Sequence, residues 1–321
     1  VGVTTNPNIF ATAIGNSQLY QGDIKQNKDK STEEIITKLT TDDVRSACDL
    51  FSEIFKSTNG VDGRVSIEVD PRFARDTAAT IGQGKQLWQI IDRPNLLIKV
   101  PATIEGLPAI TDLISSGISV NVTLIFSVNR YKEVLAAYAA GLEKGLSNGA
   151  SIRNIHSVAS FFISRIDSEV DKQLPIDSEL RGMTAIANAV MAYEACLAFE
   201  KTPRWQSLKD KGGNLQRPLW ASTGVKDQAY DPTRYVMLLV AKNTVNTMPE
   251  ATLNIVRDSG IFSGDTITPN IKSAKATLAK LAMAGIDLDK VTKHLEIDGV
   301  AKFEAAWLDL MNSVKIVAIG S

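Results

Sequence analysis

The chain has 321 residues, of which 44% are hydrophobic and 22% are charged, and its formal net charge is −1. This length suits one large α/β barrel, and the composition is typical of a globular protein in water. The near-neutral charge argues against a nucleic-acid-binding protein or one held on an anionic membrane, and leaves room for a local cationic site that binds a small anion.

The two cysteines, Cys48 and Cys196, are far apart, and each lies in an apolar pattern of helical spacing. Reduced thiols in a core fit this arrangement better than a disulfide framework, so we expect a cytoplasmic protein. No apolar run is long enough for a membrane span and no secretory signal opens the chain, so no membrane partner is expected.

Seven short runs rich in β-branched residues alternate with stretches of helical spacing. The runs cover residues 1–5, 64–69, 95–100, 118–126, 155–162, 217–223 and 243–248. Strands of this composition that alternate with helices predict a parallel sheet covered by helices.

Three signals mark individual helices. The segment "STEE" at 31–34 is typical of a capping box at a helix start. Two apolar stripes have helical spacing. The first contains Val44, Cys48, Phe51, Ile54 and Phe55, and the second contains Phe303, Trp307, Leu310, Met311 and Val314.

Seven strands are one short of the eight that close a (β/α)8 barrel. Because the sequence opens at Val1 inside a predicted strand, we expect the first barrel strand to precede it. We therefore predict an α/β fold in which residues 1–321 form a single (β/α)8 TIM barrel domain, with C-terminal helices packed on the barrel. The rival is a doubly wound open sheet, which usually has a glycine-rich loop after its first strand, and "TTNPNIF" is not such a loop.

Polar residues gather at one end of nearly every predicted strand, in runs that are otherwise apolar. In a barrel, catalytic side chains come from the carboxyl ends of the strands and from the loops that follow them. The candidates chosen on this basis are Asn6, Glu68, Lys99, Asn121, Thr123, Ser160, Arg165 and Lys226.

Lys99 lies near the end of the strand "NLLIKV". Most lysines bury an apolar stem and keep the ammonium in water, which is the ordinary role for Lys99 taken alone. Because many other polar residues lie at the strand ends, we interpret Lys99 as a desolvated amine. Desolvation lowers the pKa of an amine, so more of it is neutral and nucleophilic. Such an amine attacks a ketone to form a Schiff base, and the protonated imine accepts electrons when the adjacent C–C bond breaks.

Glu68 is the candidate general acid-base residue for this chemistry. A carboxylate in direct contact with Lys99 would keep the amine charged, so we expect a water between the two, held by Thr123. The alternative is that Glu68 forms a plain ion pair with an arginine or lysine.

Arg165 and Lys226 follow two late strands, near the place where barrels often bind phosphate, and both side chains suit a phosphate monoester. The alternative for each is a solvated surface charge.

The candidates for hydrogen bonds to sugar hydroxyls are Asn121, Ser160 and Asn6. The alternative is that each one bonds to the backbone of a loop. For Asn6, which precedes a proline, a role in a turn is expected about as strongly as a contact with the sugar.

A metal site is not indicated. His156 and His294 are far apart and neither belongs to an HxH or HExxH pattern. The sequence also has no hydrolase motif, dinucleotide fingerprint or Walker loop.

Seven motifs, in order over almost the whole chain, together resemble the transaldolase family in its longer bacterial and plant-like branch, with actinobacterial members most similar. They are "GVTTNPNIF", "VSIEVDPR", "LLIKVPAT", "ISVNVTLIFS", "HSVASFFISR", "RPLWASTGVK" and "NTVNTMPEATL". The resemblance implies a (β/α)8 barrel of the class I aldolase superfamily without metal or organic cofactor. It also implies transfer of a dihydroxyacetone unit from sedoheptulose 7-phosphate to glyceraldehyde 3-phosphate, giving erythrose 4-phosphate and fructose 6-phosphate in the non-oxidative pentose phosphate pathway.

The resemblance also implies roles for the candidate residues. Lys99 matches the Schiff-base lysine, Glu68 the acid/base glutamate and Thr123 the threonine that holds a water. Asn121, Ser160 and Asn6 match contacts to the donor sugar, Arg165 matches a phosphate arginine, and Lys226 stands where other branches carry a second phosphate arginine.

One departure from the family pattern concerns the catalytic aspartate, which the family carries on its first strand. The sequence from Val1 onward does not contain that strand, so we expect it upstream; a protein that began at Val1 would be an unclosed barrel of low activity.

Two alternatives stay open at this point. One is a class I aldolase that cleaves fructose 6-phosphate and releases free dihydroxyacetone. The other is an inactive barrel that binds a sugar phosphate or a protein partner. The oligomeric state is left open between monomer and homodimer.

Overall fold

The computed structural model describes residues 2–15 and 18–319, which form two compact units. The first unit comprises Val1–Asn121, Lys144–His156 and Asp298–Ser321, and the second comprises Val122–Glu143 and Ser157–Ile297. That residues 1–321 form a single barrel domain stays a prediction.

The first unit alternates strands with helices. Its strands are β1 (Gly2–Thr4), β2 (Arg64–Glu68) and β3 (Leu96–Pro101). Its helices are α1 (Pro7–Gly15), α2 (Gln21–Gln26), α3 (Thr32–Leu50), α4 (Ser52–Ser57), α5 (Thr77–Ile91) and α6 (Gly106–Ser115).

Three elements contribute residues to both units. They are β4 (Val120–Ile125), α7 (Val128–Ser147) and the long helix α14 (Leu288–Ile319).

The second unit has the same alternation. Its strands are β5 (Ser157–Phe162), β6 (Arg217–Ala221) and β7 (Val245–Asn246). Its helices are α8 (Ser164–Val170), α9 (Thr184–Glu200), α10 (Pro203–Asp210), α11 (Arg234–Met237), α12 (Glu250–Ser259) and α13 (Ile271–Met283).

Neighbouring strands within each unit are parallel, as predicted. In the first unit β1 pairs with β2 and β2 with β3; in the second, β5 pairs with β6 and β6 with β7. Every residue of β2, β3, β4 and β5 is buried. Strands that are buried throughout explain why their sequences read as continuous apolar runs with a few polar residues.

All seven predicted strand runs overlap a strand. Six of the strands are shorter than their runs, and β3 has the same length as its run but is shifted by one residue, to Leu96–Pro101. The run at 1–5 starts at Val1, which lies outside the described residues. In the run at 118–126 the strand starts only at Val120, because Ile118 takes part in the motif that ends α6. The Ile118 N–H bonds to the Leu113 carbonyl, 3.1 Å away, and Gly117 between them has φ +84°. This is the helix-ending motif that a left-handed glycine permits.

The predicted capping box begins α3. The Ser31 hydroxyl accepts a hydrogen bond from the Glu34 N–H at 3.2 Å, and a Glu34 carboxylate oxygen accepts from the Ser31 N–H at 2.8 Å. The apolar stripe that starts at Val44 does not continue as one helix, because α3 ends at Leu50 and α4 begins at Ser52. Ile54 is therefore partly exposed.

The predicted stripe in α14 is confirmed. Phe303, Trp307, Leu310 and Val314 are buried, and Met311 is half-buried. A stripe at this spacing packs one face of the helix onto its own unit.

Cys48 and Cys196 are both free and buried, and burial raises the pKa of their thiols to about 12 and about 11. Within residues 2–15 and 18–319, no helix is both long enough and apolar enough to span a bilayer.

Replacing Ser31 by alanine should lower the free energy of unfolding by about 1 kcal/mol, because the Glu34 N–H at the start of α3 loses the hydroxyl that accepts its hydrogen bond. Chemical denaturation measures this. The matched control is Ser46→Ala, an exposed serine inside the same helix whose hydroxyl only bonds back to the Asp42 carbonyl. A loss at Ser46 equal to that at Ser31 would contradict the capping role.

Candidate active site

The candidate site of the first unit is built on one register position. Glu68 at the end of β2 is the lateral partner of Lys99 in β3, in a register that begins with Val65 opposite Leu96. Strand side chains alternate between faces, so a shift of one residue would send one of the two to the opposite face. The register therefore decides that the carboxylate and the ammonium share one side.

The two charged groups are in direct contact. Lys99 Nζ lies 3.0 Å from Glu68 Oε2, and the side chains are only 5% and 2% exposed. The expectation of a water between them is wrong. The reason is that neighbouring strands are about 4.8 Å apart, so two residues in register on the same face meet without a spacer.

Lys99 has two further neighbours that the sequence did not reveal. Its Nζ donates a hydrogen bond to the Thr5 carbonyl at 3.2 Å, and it lies 5.8 Å from the centre of the Phe303 ring. Phe303 was visible only as a member of an apolar stripe, and a backbone carbonyl leaves no trace in a sequence pattern.

The Glu68 carboxyl is buried with little compensation. Burial raises its pKa, and the nearby Lys99 charge acts in the opposite direction. Among the described residues, neither oxygen accepts a hydrogen bond of ordinary angle, so its ion pair with Lys99 is the main compensation. A buried carboxyl with a raised pKa, next to an amine, is a candidate for proton transfer.

Asn121 belongs to the same polar group. It is fully buried, and its Nδ2 donates to the Ser66 hydroxyl at 3.0 Å. Ser66 lies two residues before Glu68 in β2, hence on the same face. In the first unit Lys99 thus contacts Glu68, and Asn121 bonds to Ser66 on the same face of β2.

Asn6 has a structural role at the start of α1. Its side-chain oxygen accepts the Ile9 N–H at 2.9 Å, next to Pro7 at the first helical position. The turn role considered for Asn6 is confirmed, and its contact with a sugar stays a prediction.

The second unit contains the other candidates, beginning with Thr123 and Ser160. Both are buried, Thr123 completely. Within the described part of the chain, the Thr123 hydroxyl has no hydrogen-bond partner. Leu124 follows it with φ +58°, a left-handed conformation that is costly for a branched residue. A strained residue beside a buried, unsatisfied hydroxyl is typical of a functional position.

Arg165 and Lys226 have different surroundings. The half-buried Arg165 places its guanidinium 5.5 Å from the centre of the Phe162 ring. Lys226 is exposed and lines a cavity of about 730 Å³ together with Lys172 and Arg181. Asp167, Asp171 and Asp227 line the same cavity, so its basic side chains are matched by an equal number of acidic ones.

Comparison with known proteins matches residues 1–314 to the model of the "Transaldolase/Fructose-6-phosphate aldolase" family. The chain belongs to this family. It is 53% identical to "Transaldolase 1" of Streptomyces avermitilis over 321 residues, which is 98% of this chain and 85% of that protein. It is 52% identical to "Transaldolase" of Mycobacterium bovis over 323 residues, 98% of this chain and 87% of that protein. Acidothermus cellulolyticus "Transaldolase" is 52% identical over 320 residues, 98% and 86% of the two chains.

Membership of the transaldolase family confirms the predicted fold class, the α/β (β/α)8 barrel of class I aldolases. The predicted transaldolase activity, that of a transferase in the pentose phosphate pathway, is confirmed in the same way. Sugar phosphates are the substrates that this activity implies.

Two buried aspartates of the second unit were missed by sequence reasoning. The Asp167 carboxylate accepts hydrogen bonds from the Ala185 N–H and the Tyr235 hydroxyl, both at 2.7 Å. Asp171 accepts from the Gly182 N–H at 2.9 Å and from the Tyr230 hydroxyl at 2.7 Å. No pattern marks them, because their partners lie between 11 and 68 residues away.

The Asp167 bonds attach α9 and α11 to α8, and the Asp171 bonds attach the loops before those two helices to the end of α8. Tyr230 lies four residues after Lys226, so its bond to Asp171 fixes the end of the loop that carries this lysine. Arg234 stacks on the Tyr230 ring at 4.4 Å and donates to the Gly182 carbonyl. A loop tied at its end loses less conformational entropy when it closes on a ligand.

Burial raises the pKa of Asp167 to about 6 from 3.8. A raised carboxyl pKa stabilises the fold fully below pH 4, and that contribution is lost as the pH rises through 6. In Asp167→Asn the stability difference, wild type minus variant, should therefore fall by up to about 3 kcal/mol between pH 4 and pH 7. Denaturation of both proteins at each pH measures this.

The asparagine can keep both contacts, because its oxygen accepts from Ala185 and its amide donates to the Tyr235 oxygen. The same substitution at exposed Asp177 controls for the loss of one carboxylate. A difference between wild type and Asp167→Asn that is constant across this pH range would contradict the effect of burial.

Proposed function

We propose that the chain transfers a dihydroxyacetone unit from sedoheptulose 7-phosphate to glyceraldehyde 3-phosphate through a Schiff base on Lys99. The observation that carries this proposal is the buried contact of 3.0 Å between Lys99 and Glu68 near the carboxyl ends of two parallel strands. Barrel enzymes place their chemistry at that end of the strands.

Glu68 makes the amine reactive by taking a proton from it. Both groups are almost without solvent, and burying two charges costs several kcal/mol per ion. Moving one proton from Nζ to the carboxylate leaves two neutral groups and removes that cost. Direct contact, which in water would favour the charged pair, here gives the proton a short path.

The neutral amine then adds to the C2 ketone of the donor and forms a carbinolamine. The protonated Glu68 returns its proton to the departing hydroxyl, so that water leaves and an iminium remains on Lys99. Glu68 is again a carboxylate at the end of this step.

Cleavage breaks the bond between C3 and C4. The C4 hydroxyl loses its proton to a base, the bonding electrons move toward the iminium nitrogen, and erythrose 4-phosphate leaves. In the family that this chain resembles, an aspartate of the first barrel strand takes that proton. The three-carbon enamine on Lys99 then attacks the aldehyde of glyceraldehyde 3-phosphate, and hydrolysis releases fructose 6-phosphate.

The remaining candidates would bind substrate or water. Thr123, whose buried hydroxyl is unsatisfied, would hold the catalytic water, and Asn121, Ser160 and Asn6 would bind sugar hydroxyls. Arg165 and Lys226 would bind phosphate. We also propose a cytoplasmic location, which the two free thiols support, and a reaction that needs no metal or organic cofactor.

A second candidate function is supported by the family description, which includes fructose-6-phosphate aldolase. It uses the same imine and differs only in that the enamine takes a proton, instead of attacking an aldehyde, before hydrolysis releases the product. Measuring turnover of fructose 6-phosphate with and without an aldose phosphate acceptor separates the two. A transaldolase turns over slowly without the acceptor.

Borohydride added with fructose 6-phosphate should leave a three-carbon adduct on Lys99, because it reduces the iminium to a stable amine. Peptide mapping by mass spectrometry locates the adduct. Lys99→Met should lose both the adduct and sugar exchange, while Lys201→Met, at an exposed lysine, should keep them. An adduct on another lysine, or exchange by a folded Lys99→Met protein, would disprove the assignment.

Replacing Glu68 by glutamine should lower kcat by about 10²- to 10⁴-fold, the usual contribution of a general acid-base group. In the wild type, kcat should fall as the pH drops through the raised pKa of Glu68, because a protonated carboxyl cannot accept the Lys99 proton. That acid limb should be absent from the kcat profile of the variant. A variant profile with the same acid limb would assign this titration to another group.

A further inference from the structure

The loop after β6 carries Lys226 directly before a short turn. The Asp227 carboxylate accepts the Ala229 N–H at 3.0 Å, and the Asp227 carbonyl accepts the Tyr230 N–H at 3.2 Å. An aspartate that bonds to the backbone two residues later stabilises a turn of this kind. Because Lys226 adjoins the turn that Tyr230 closes, its position depends on the position of Tyr230.

Tyr230 is held against the loop before α9. Its hydroxyl donates to Asp171 Oδ2 at 2.7 Å, while Oδ1 of the same carboxylate accepts the Gly182 N–H at 2.9 Å. The Arg234 guanidinium lies 4.4 Å from the centre of the Tyr230 ring and donates to the Gly182 carbonyl. We call these four residues, Asp171, Gly182, Tyr230 and Arg234, the Asp171 cluster.

Gly182 shows how closely this cluster is packed. Its φ is +69°, and a Cβ built on it would lie 2.7 Å from Tyr230 Cζ and 2.9 Å from a nitrogen of Arg234. The backbone conformation and the lack of space both require glycine here. Since the ring packs on backbone and its hydroxyl bonds to a carboxylate that is 6% exposed, Tyr230 has one defined position.

The residues that precede Tyr230 lie at the surface. Residues 226–229 are all exposed. A surface lysine samples many conformations in solution and loses that freedom when it binds a ligand, which costs free energy. A loop that is already anchored at Tyr230 has lost part of this freedom before the ligand arrives.

The cavity of about 730 Å³ beside Lys226 has no excess of positive charge, because three aspartates line it with three basic residues. Asp167, Asp171 and Asp227 each accept hydrogen bonds from neighbouring N–H or O–H groups. In a cavity of balanced charge, a close contact with one cation holds an anion, because no general positive field adds to it. The placement of the Lys226 ammonium is therefore decisive for an anionic group.

We propose that Tyr230 is a positioning residue that gives the enzyme a preference for phosphorylated acceptors, by holding the Lys226 loop on Asp171. This inference rests on the proposed phosphate contact of Lys226 and adds the residue through which that lysine is placed. Its effect should be confined to the part of the substrate that Lys226 contacts, which is the phosphate.

The test measures kcat/KM for glyceraldehyde 3-phosphate and for glyceraldehyde, with fructose 6-phosphate as the donor. The ratio of the two values reports the preference for phosphate, and it does not depend on the fraction of enzyme that is folded. Tyr230→Phe removes one hydroxyl and keeps the ring. It should lower the ratio about fivefold, mainly through a higher KM for glyceraldehyde 3-phosphate.

Lys226→Met shows whether Tyr230 acts through the lysine. This change should lower the ratio about tenfold, because a charged contact with the phosphate is lost. Adding Tyr230→Phe should then lower the ratio no further, since the loop no longer carries an ammonium. A further fivefold fall in the double variant would overturn the proposal.

Asp171→Asn is the conservative variant of the cluster. The asparagine oxygen can accept the Gly182 N–H while its amide donates to the Tyr230 oxygen, so the ratio should stay near the wild-type value although a charge is lost. A ratio as low as that of Tyr230→Phe would assign the effect to charge and overturn the proposal.

Tyr20→Phe is the matched control. Tyr20 donates to Asp43 at 2.7 Å in the first unit, so this variant removes the same kind of hydrogen bond elsewhere and should leave the ratio unchanged. A ratio that falls equally in Tyr20→Phe and Tyr230→Phe, or one that stays unchanged in Tyr230→Phe, would disprove the positioning role.

The outcomes separate this inference from the proposed function. If Lys226→Met lowers the ratio and Tyr230→Phe does not, only the role of Tyr230 fails. If Lys226→Met leaves the ratio unchanged, the proposed phosphate contact fails, and the role of Tyr230 with it. Borohydride labelling tests the Schiff base at Lys99 independently of both residues.

Discussion

The buried ion pair of Lys99 and Glu68 is the constraint on which the proposed chemistry depends. Each ion costs several kcal/mol to remove from water, and only a close partner offsets this. The parallel register of β2 and β3 supplies that partner at 3.0 Å. A pair of apolar residues would serve stability at least as well. A costly pair at the carboxyl ends of parallel strands is therefore better explained by reactivity than by folding.

The surroundings of the pair are consistent with that explanation. The Thr5 carbonyl and the Phe303 ring complete the environment of the amine, and neither adds a second charge. Glu68 has no strong hydrogen-bond donor other than Lys99 among the residues described, so burial dominates and raises its pKa. In the proposed mechanism Lys99 gives its proton to this carboxylate before the imine forms.

In the second unit, polar groups are used to hold loops. Asp171 binds the Tyr230 hydroxyl and so ties the loop after β6 to the end of α8, while Asp167 binds residues at the start of α9 and in α11. Loops carry binding residues in many enzymes because a rigid scaffold positions them. Lys226 lies on this tied loop, which gives an exposed lysine a defined location.

The sequence by itself determined the seven strands, the cap at Ser31, the stripe of α14 and the presence of polar residues at strand ends. These features are local: each depends on residues within about one element, where side-chain period and capping chemistry act. Only the tertiary structure decided that Glu68 touches Lys99 directly, that Phe303 covers the amine, and that Asp167 and Asp171 hold helices and loops. Those contacts join segments 11 to more than 200 residues apart. Register and packing bring such segments together, and neither leaves a periodic mark in the chain.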